Sequence, residues 1–425
     1  MHTVATEPHV LDLPAFDRRL SRDSAAPIAV AYSGGGDSLA ALIATKHWAD
    51  RVGRRVLALH VDHGLQAASP DWARLAARTT ARLGVAFRAL DWTGEKPSRG
   101  LPAAARKARH GLIAEAARAA GARVVVFGHT ADDELEAGLM RAAGSNLGHL
   151  AEWRPSPVWP EGRGLFVLRP LLGLRRSEIR ERLAPLGFDW IEDPANDDPR
   201  WLRARARARL PGGDEIDPAL IQTPSPELAE LARAAQVDAV GVVRLERSRL
   251  LGTPQEVARR FLSAALVCVS GGVRPPRRAA LEALLARLAG EGAVVATLAG
   301  ARLSAQSEIL IVRESGSYRR HGEPQVRLEP GQAVVWDGRF LLSAPAGAGG
   351  LVIPLDDRAP KQDTKQAGGL SPWSREVRAA LPALLECDGR ITCPILAGDH
   401  PVATKSLVAE RLNGACGVFS REPTR

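Results

Sequence analysis

The chain has 425 residues, 45% of them hydrophobic and 25% charged, with a formal net charge of +9. That length exceeds one typical core and implies two or three domains of a globular protein. No apolar run is long enough to cross a bilayer, and the start "MHTVATEPHVLDLPAFDRRL" lacks a basic stretch followed by an apolar core, so a cytoplasmic location without a membrane role is expected. The cysteines, Cys268, Cys387, Cys393 and Cys416, form no C-x-x-C pair, which excludes a zinc knuckle and a dithiol redox site. Residues 1–212 hold 31 Lys and Arg against 24 Asp and Glu. A basic surplus fits a polyanionic partner such as a nucleic acid. It fits equally an Arg-rich surface that only solvates, since six of the 57 basic residues are Lys.

In chain order, the first half alternates. "PIAVAYSG" reads as a strand and 37–50 as a helix; "RRVLALHVDHG" is a strand and 68–83 a helix. "VAFRALDW" is followed by a helix at 102–120, "ARVVVFGH" by one at 131–142, and the weaker strand "GLFVLRPLL" by one at 175–185. Continuous apolar strands alternating with helices predict an α/β fold, a Rossmann-like parallel sheet with helices on both faces. Ligands of such sheets lie beyond the C-terminal ends of the strands, where Ser33 onward, Asp62-His63 and His129 onward fall.

A Pro-, Gly- and acid-rich stretch at 210–227 reads as a linker. Helices are expected at 226–236, 253–268 and 275–289, then strands in "AVVATLAG" and "SEILIVRE". Beyond a polar break, Asp337-Gly338 and Asp388-Gly389 each stand between apolar runs as β-hairpin signals. Three domains are therefore expected: 1–212, the alternating α/β half; 213–316, mainly helical; and 317–425, a small β-containing α+β domain.

The most informative stretch is "AVAYSGGGDSLA", residues 29–40. Glycines between a strand and a helix let backbone N–H groups approach a phosphate, the helix dipole favours the anion, and the serines add donors. The alternative is a tight turn whose Ser or Asp caps the helix. No Gly-Lys-[Ser/Thr] follows, so this is not a Walker loop, and the G-x-G-x-x-G spacing of dinucleotide folds is absent. Asp132, Asp133 and Glu136 fall within one helical turn at a strand end, beside His129. Carboxylates there either relieve the helix dipole or bind Mg²⁺, hold an amine or accept its proton. His63 and His129 read as pocket-lining or as structural caps. Arg203, Arg205, Arg207 and Arg209 alternate in "RWLRARARARL", a basic face for phosphates or a solvated one.

The motif S-G-G-G-D-S resembles the PP-loop of the ATP pyrophosphatase superfamily, whose members cleave ATP between the α and β phosphates and adenylate an oxygen. "HVDHGL", "AARKARH", "GHTADDELE", "LRPLLGLRRSEI" and "WIEDPANDDPRWLRARARARLP", in that order, narrow the resemblance to the tRNA(Ile)-lysidine synthase family. The resemblance implies a cytoplasmic tRNA-processing ligase using ATP and Mg²⁺. It would join L-lysine to C2 of the wobble cytidine of tRNA(Ile) with a CAU anticodon, releasing AMP and pyrophosphate. It implies Ser33, Gly34, Gly35, Gly36, Asp37, Ser38, Val61, His63 and His129 at the nucleotide, with Asp37 near the metal. Asp37, Asp132, Asp133 and Glu136 would be catalytic; Arg106, Arg109, Arg141, Arg203, Arg205 and Arg207 would bind substrate. The chain departs from the family pattern at Ala204, Glu134 and Ala137, where Asn, Gln and Thr are usual. Thiolating relatives need cysteines near the nucleotide, and none precedes Cys268. An amidating ligase for a small molecule and a non-catalytic binding module are the alternatives, and the sequence leaves the oligomeric state open, a homodimer included.

Overall fold

The computed structural model describes residues 11–66, 68–144, 149–193, 205–206, 208, 225–356, 373–386 and 388–424. The chain divides into two compact units. One comprises Met1–Thr223 and the terminal Phe419–Arg425; the other is Pro224–Val418. Two units therefore stand where three domains were expected, and in chain order the second is inserted between two segments of the first.

The first unit is built on a six-stranded sheet. Its strands are β1 (Ile28–Ala31), β2 (Val56–Asp62), β3 (Ala86–Asp91), β4 (Val124–Phe127), β5 (Trp153–Pro155) and β6 (Phe166–Leu168), in the spatial order 3-2-1-4-6-5. All neighbours pair parallel except β5, which runs antiparallel to β6 at the edge. The fold is thus the expected α/β one with an added edge strand. Strands β1 and β4 are buried on both faces, as their continuous apolar sequences require. Helices α1 (Ala15–Arg19), α2 (Gly36–Val52), α3 (Ser69–Arg82), α4 (Leu101–Ala119), α5 (Ala131–Ala142) and α6 (Arg176–Leu183) accompany it among the described residues. Two apolar cores lie on opposite faces of the sheet. One gathers Leu39, Leu42 and Trp48 of α2 with Ile179 and Leu183 of α6; the other gathers Ile113 and Ala117 of α4 with Val125 and Phe127. The chain order doubles back between β1 and β4, which opens a crevice beyond their C-terminal ends.

The terminal segment closes the opposite edge. Phe419 packs on Phe166, ring centroids 5.7 Å apart, and Glu422 is buried against Arg54. Arg54 Nη1 and Nη2 donate to the Glu422 carboxylate at 2.6 and 3.0 Å, and the Ser21 amide and Ser24 hydroxyl add donors at 3.0 and 3.2 Å. A carboxylate buried this deeply is tolerated because it is both paired and hydrogen-bonded.

The second unit is α+β, and among the described residues of 213–316 helix exceeds strand. Helices Pro226–Ala234, Gln255–Ser270 and Arg278–Ala289 are present, but a five-stranded antiparallel sheet packs with them. Its strand Ala301–Ala305 pairs on both sides, with Val294–Leu298 and Glu308–Arg313. Further along, Trp336 and Phe340 flank the Asp337-Gly338 turn, both of whose residues have positive φ, as a tight hairpin requires. The Asp388-Gly389 turn likewise joins Pro382–Leu385 to Ile391–Thr392.

Candidate active site

Strand β1 ends at Ala31 and α2 begins at Gly36, so residues 32–35 make the turn. Gly34 takes φ +90°, and its carbonyl accepts the Ile191 amide at 2.9 Å. The serines brace the loop from within. The Ser33 amide donates to Ser38 Oγ at 3.2 Å, Ser38 Oγ donates to the Gly35 carbonyl at 2.8 Å, and the two hydroxyls lie 3.0 Å apart. Ser33 to Ser38 thus form a preshaped loop at a helix N-terminus, an arrangement that favours anions.

The β4–α5 connection lies directly against it. A Cβ on Gly128 would fall 2.5 Å from the Asp37 carbonyl oxygen and 2.9 Å from Ser38 Cα, so only glycine permits this approach. Gly128→Ala is expected to push the two loops apart, at about 1–3 kcal/mol of stability and at least tenfold in activity. Thermal unfolding and a steady-state assay check both.

The predicted carboxylates divide their work. In the first turn of α5, Asp133 Oδ2 accepts the Thr130 amide at 2.7 Å and its hydroxyl at 3.1 Å, a capping role. Asp132 Oδ2 accepts the Arg176 amide at 2.7 Å, and its other oxygen lies 3.2 Å from Arg175 Nη2. The N-termini of α2, α5 and α6 therefore converge on one edge of the sheet. Glu136 is fully buried.

At the centre sits a residue not anticipated from the sequence. Arg176 Nε donates to Asp37 Oδ2 at 2.9 Å and Nη1 to Glu136 Oε1 at 3.3 Å, while Nη2 lies 3.7 Å from Asp133 Oδ1. Burial pulls the Arg176 guanidinium toward neutrality, but Asp37, Asp133 and Glu136 outweigh it and hold the proton more firmly than usual. Burial raises the Asp37 pKa above the ordinary carboxylate value, and the Arg176 charge opposes this only in part. Asp37 Oδ1 is buried without a hydrogen-bond partner among the described residues. One helical turn on, the Arg180 guanidinium lies over the loop, its Nε 2.8 Å from where a Cβ on Gly36 would be. Arg180 also pairs with Glu192. Both arginines sit in "LRRSEIR", directly beyond a strand end, and that position was the available signal.

A second group lies at the ends of β2, β4 and β6. Arg169 Nε donates to His129 Nδ1 at 3.1 Å, so a neutral His129 carries its proton on Nε2. Phe127 stacks on His129 and contacts the His110 ring, centroids 5.7 and 5.2 Å apart. Burial, then the charges of Arg109, Arg106 and Arg169, push His110 down to about 3, so it is neutral at physiological pH. Burial and Arg109 likewise lower His63, which meets Trp92 edge-on at 6.0 Å. Arg106 and Arg109 thus stand within electrostatic reach of both predicted histidines or their neighbours. Val61 ends β2 beside them.

Arg141 is placed otherwise. Its Nη2 donates to the buried Glu134 at 2.7 Å, and Glu134 also accepts from the Leu150 amide at 2.7 Å and approaches His149 Nδ1 at 2.8 Å. The glutamate that departs from the family pattern therefore has a structural partner set of its own. Arg205 is exposed; Arg203, Arg207 and Ala204 lie outside the described residues.

A family model described as "PP-loop domain" matches residues 13–212. The chain is 44% identical over 417 residues to the tRNA(Ile)-lysidine synthase of Caulobacter vibrioides, covering 96% of this chain and 97% of that one. The proteins of the same name from Mesorhizobium japonicum and Hyphomonas neptunium are 35% and 37% identical, over 86% and 76% of this chain and 83% and 90% of theirs. The chain belongs to the tRNA(Ile)-lysidine synthase family.

Proposed function

We propose that the protein activates the C2 oxygen of the wobble cytidine of tRNA(Ile) with a CAU anticodon using ATP, then installs lysine there. A carbonyl oxygen is a poor leaving group. Attack by O2 on the α-phosphorus makes it the bridging oxygen of an adenylate and expels pyrophosphate. The lysine ε-amine then forms a bond to C2 as the C2–O2 bond breaks, AMP departs with the oxygen, and the ammonium proton passes to a carboxylate.

The observation that carries this reading is the convergence of the Ser33–Ser38 loop with a carboxylate cluster organised by Arg176. The loop amides, with Arg180 above them, would hold the pyrophosphate end of ATP. A carboxylate of this cluster, Asp132 or Glu136, would orient the amine or take its proton. His63, Val61 and His129 would border the base and ribose. The residues also fit a divalent cation. The partnerless Oδ1 of Asp37 is a hard oxygen donor, and Mg²⁺ characteristically takes one or two carboxylates and completes its shell with phosphates and water. When bound, Mg²⁺ would neutralise charge on the departing pyrophosphate.

The tRNA would engage both units, with residues 224–418 checking its identity and the first unit receiving the anticodon loop, where the target base is unpaired. Arg205 would meet phosphate. Arg205→Ala is then expected to weaken tRNA binding and to lower the slope of log affinity against log salt by about one, read by titration at several salt concentrations.

The deciding experiment mixes protein, ATP, labelled lysine and tRNA(Ile) bearing the CAU anticodon. Label in the RNA, with AMP and pyrophosphate in equal amounts, is expected; ADP and orthophosphate, or no label, would overturn the reading. Pyrophosphate release without RNA would favour a small-molecule ligase instead.

A further inference from the structure

The terminal segment Phe419–Thr424 makes a set of contacts that the chemistry of the site does not use. Four of its partners lie at the N-terminal ends of parallel strands: Ser21 and Ser24 before β1, Arg54 before β2 and Arg123 before β4. Besides the Glu422–Arg54 pair, the Glu422 amide donates to the Arg19 carbonyl at 2.6 Å and Arg123 Nη1 donates to the Pro423 carbonyl at 2.6 Å. Trp153 Nε1 donates to the Phe419 carbonyl at 2.8 Å. Backbone and side chain are thus both recognised, and the carboxylate enters a seat whose guanidinium is buried with it. The active-site loop lies at the other ends of the same strands, about 13 Å away along β1 at roughly 3.3 Å per residue.

Because residues 224–418 sit between two segments of the first unit, this seat is the second of two attachments. We propose that the tail is an intramolecular ligand of the catalytic unit, and that its docking tethers the tRNA-engaging unit at both ends. The inference rests on the reading that one tRNA engages both units. Two attachments restrict the positions the second unit samples, and so raise the effective concentration of one RNA-binding surface for an RNA held by the other. The proposed function places ATP and lysine in the first unit alone, so their use would not depend on the tether.

The test compares the full chain, a chain ending at Val418, and the full chain carrying Glu422→Gln. The KM for tRNA, the KM for ATP and lysine, and kcat at saturating tRNA are measured, together with the midpoint of thermal unfolding. Truncation is expected to raise the KM for tRNA about ten- to a hundredfold while leaving the KM for ATP and kcat within about twofold. A synthetic peptide of residues 418–425 distinguishes a tether from a mere plug. Filling the seat in trans should recover the unfolding midpoint of the truncated chain without recovering the KM for tRNA. Glu422→Gln, which keeps the shape but removes the charge, should move the KM for tRNA in the same direction by a smaller factor, and serves if the truncated chain fails to fold. An unchanged KM for tRNA, recovery of that KM by the peptide, or a matching loss in the KM for ATP would overturn the proposal. Absence of lysine transfer by the full chain would instead overturn the reading beneath it.

Discussion

Asp37→Ala is expected to abolish lysine transfer, with a loss of at least 10²–10³-fold in kcat, from a protein that still folds. Asp37 combines two features that point the same way. One oxygen is held by Arg176 and the other is buried without a partner among the described residues, so the carboxylate is fixed in direction and incompletely satisfied. A group left so is destabilising unless a ligand completes it. Asp37→Asn separates function from stability. Burial raises the folded pKa of Asp37 above its unfolded value, so the folded state holds the proton longer. As pH rises from the ordinary carboxylate range through the folded pKa, this group makes the protein less stable. The neutral Asn lacks that loss. At neutral pH the variant should therefore match or exceed the parent in unfolding free energy while failing in catalysis, as measured by denaturant titration and the lysine-transfer assay. Retained activity in either variant would remove Asp37 from the site.

The legibility of this protein in its sequence differs by element, and for physical reasons. Strands β1 and β4 are buried on both faces and read as unbroken apolar runs, so the sheet and the edge at which ligands gather followed from pattern alone. The glycine-rich turn was legible because glycine is needed where backbones nearly touch, as Gly34 and Gly128 confirm in different ways. Strand β5 was not legible: it has three residues and ends in proline, too short for any period to show. The strand Ala301–Ala305 was hidden similarly, its alternation "ARLSA" being brief and preceded by glycine. The carboxylates were found as a cluster, but their division of labour depends on α6, which reaches them across 44 residues of sequence in the Arg176–Asp132 bond. The Glu422–Arg54 pair spans 368 residues and leaves no local trace at all. Sequence pattern reports periodicity and turn chemistry; it does not report which distant charge will neutralise which.

That limit bears most on Arg176, whose replacement should have the second large effect. Arg176→Ala withdraws the guanidinium that reaches Asp37, Asp133 and Glu136 together. Asp37 then faces the like charge of Asp133 with less to offset it, and the cheapest response is to take up a proton. Burial already favours the protonated form of Asp37, with Arg176 as the leading opposing influence, so its removal raises the Asp37 pKa further. If ionised Asp37 is the active form, the acid limb of the pH–rate profile moves to higher pH, and activity at neutral pH falls by about 10²-fold or more. Because Arg176 is partly open to solvent, the stability cost is expected to stay near 1–3 kcal/mol. Arg176→Lys returns the charge but not the fork of donors that spans two carboxylates, so it should restore the acid limb more completely than the rate. A purely structural arginine would behave differently: Ala would lower the unfolding midpoint and leave the position of the acid limb where it was. Measured across pH, the profiles of the parent, the Ala variant and the Lys variant therefore separate a residue that sets the charge state of the site from one that only fills it.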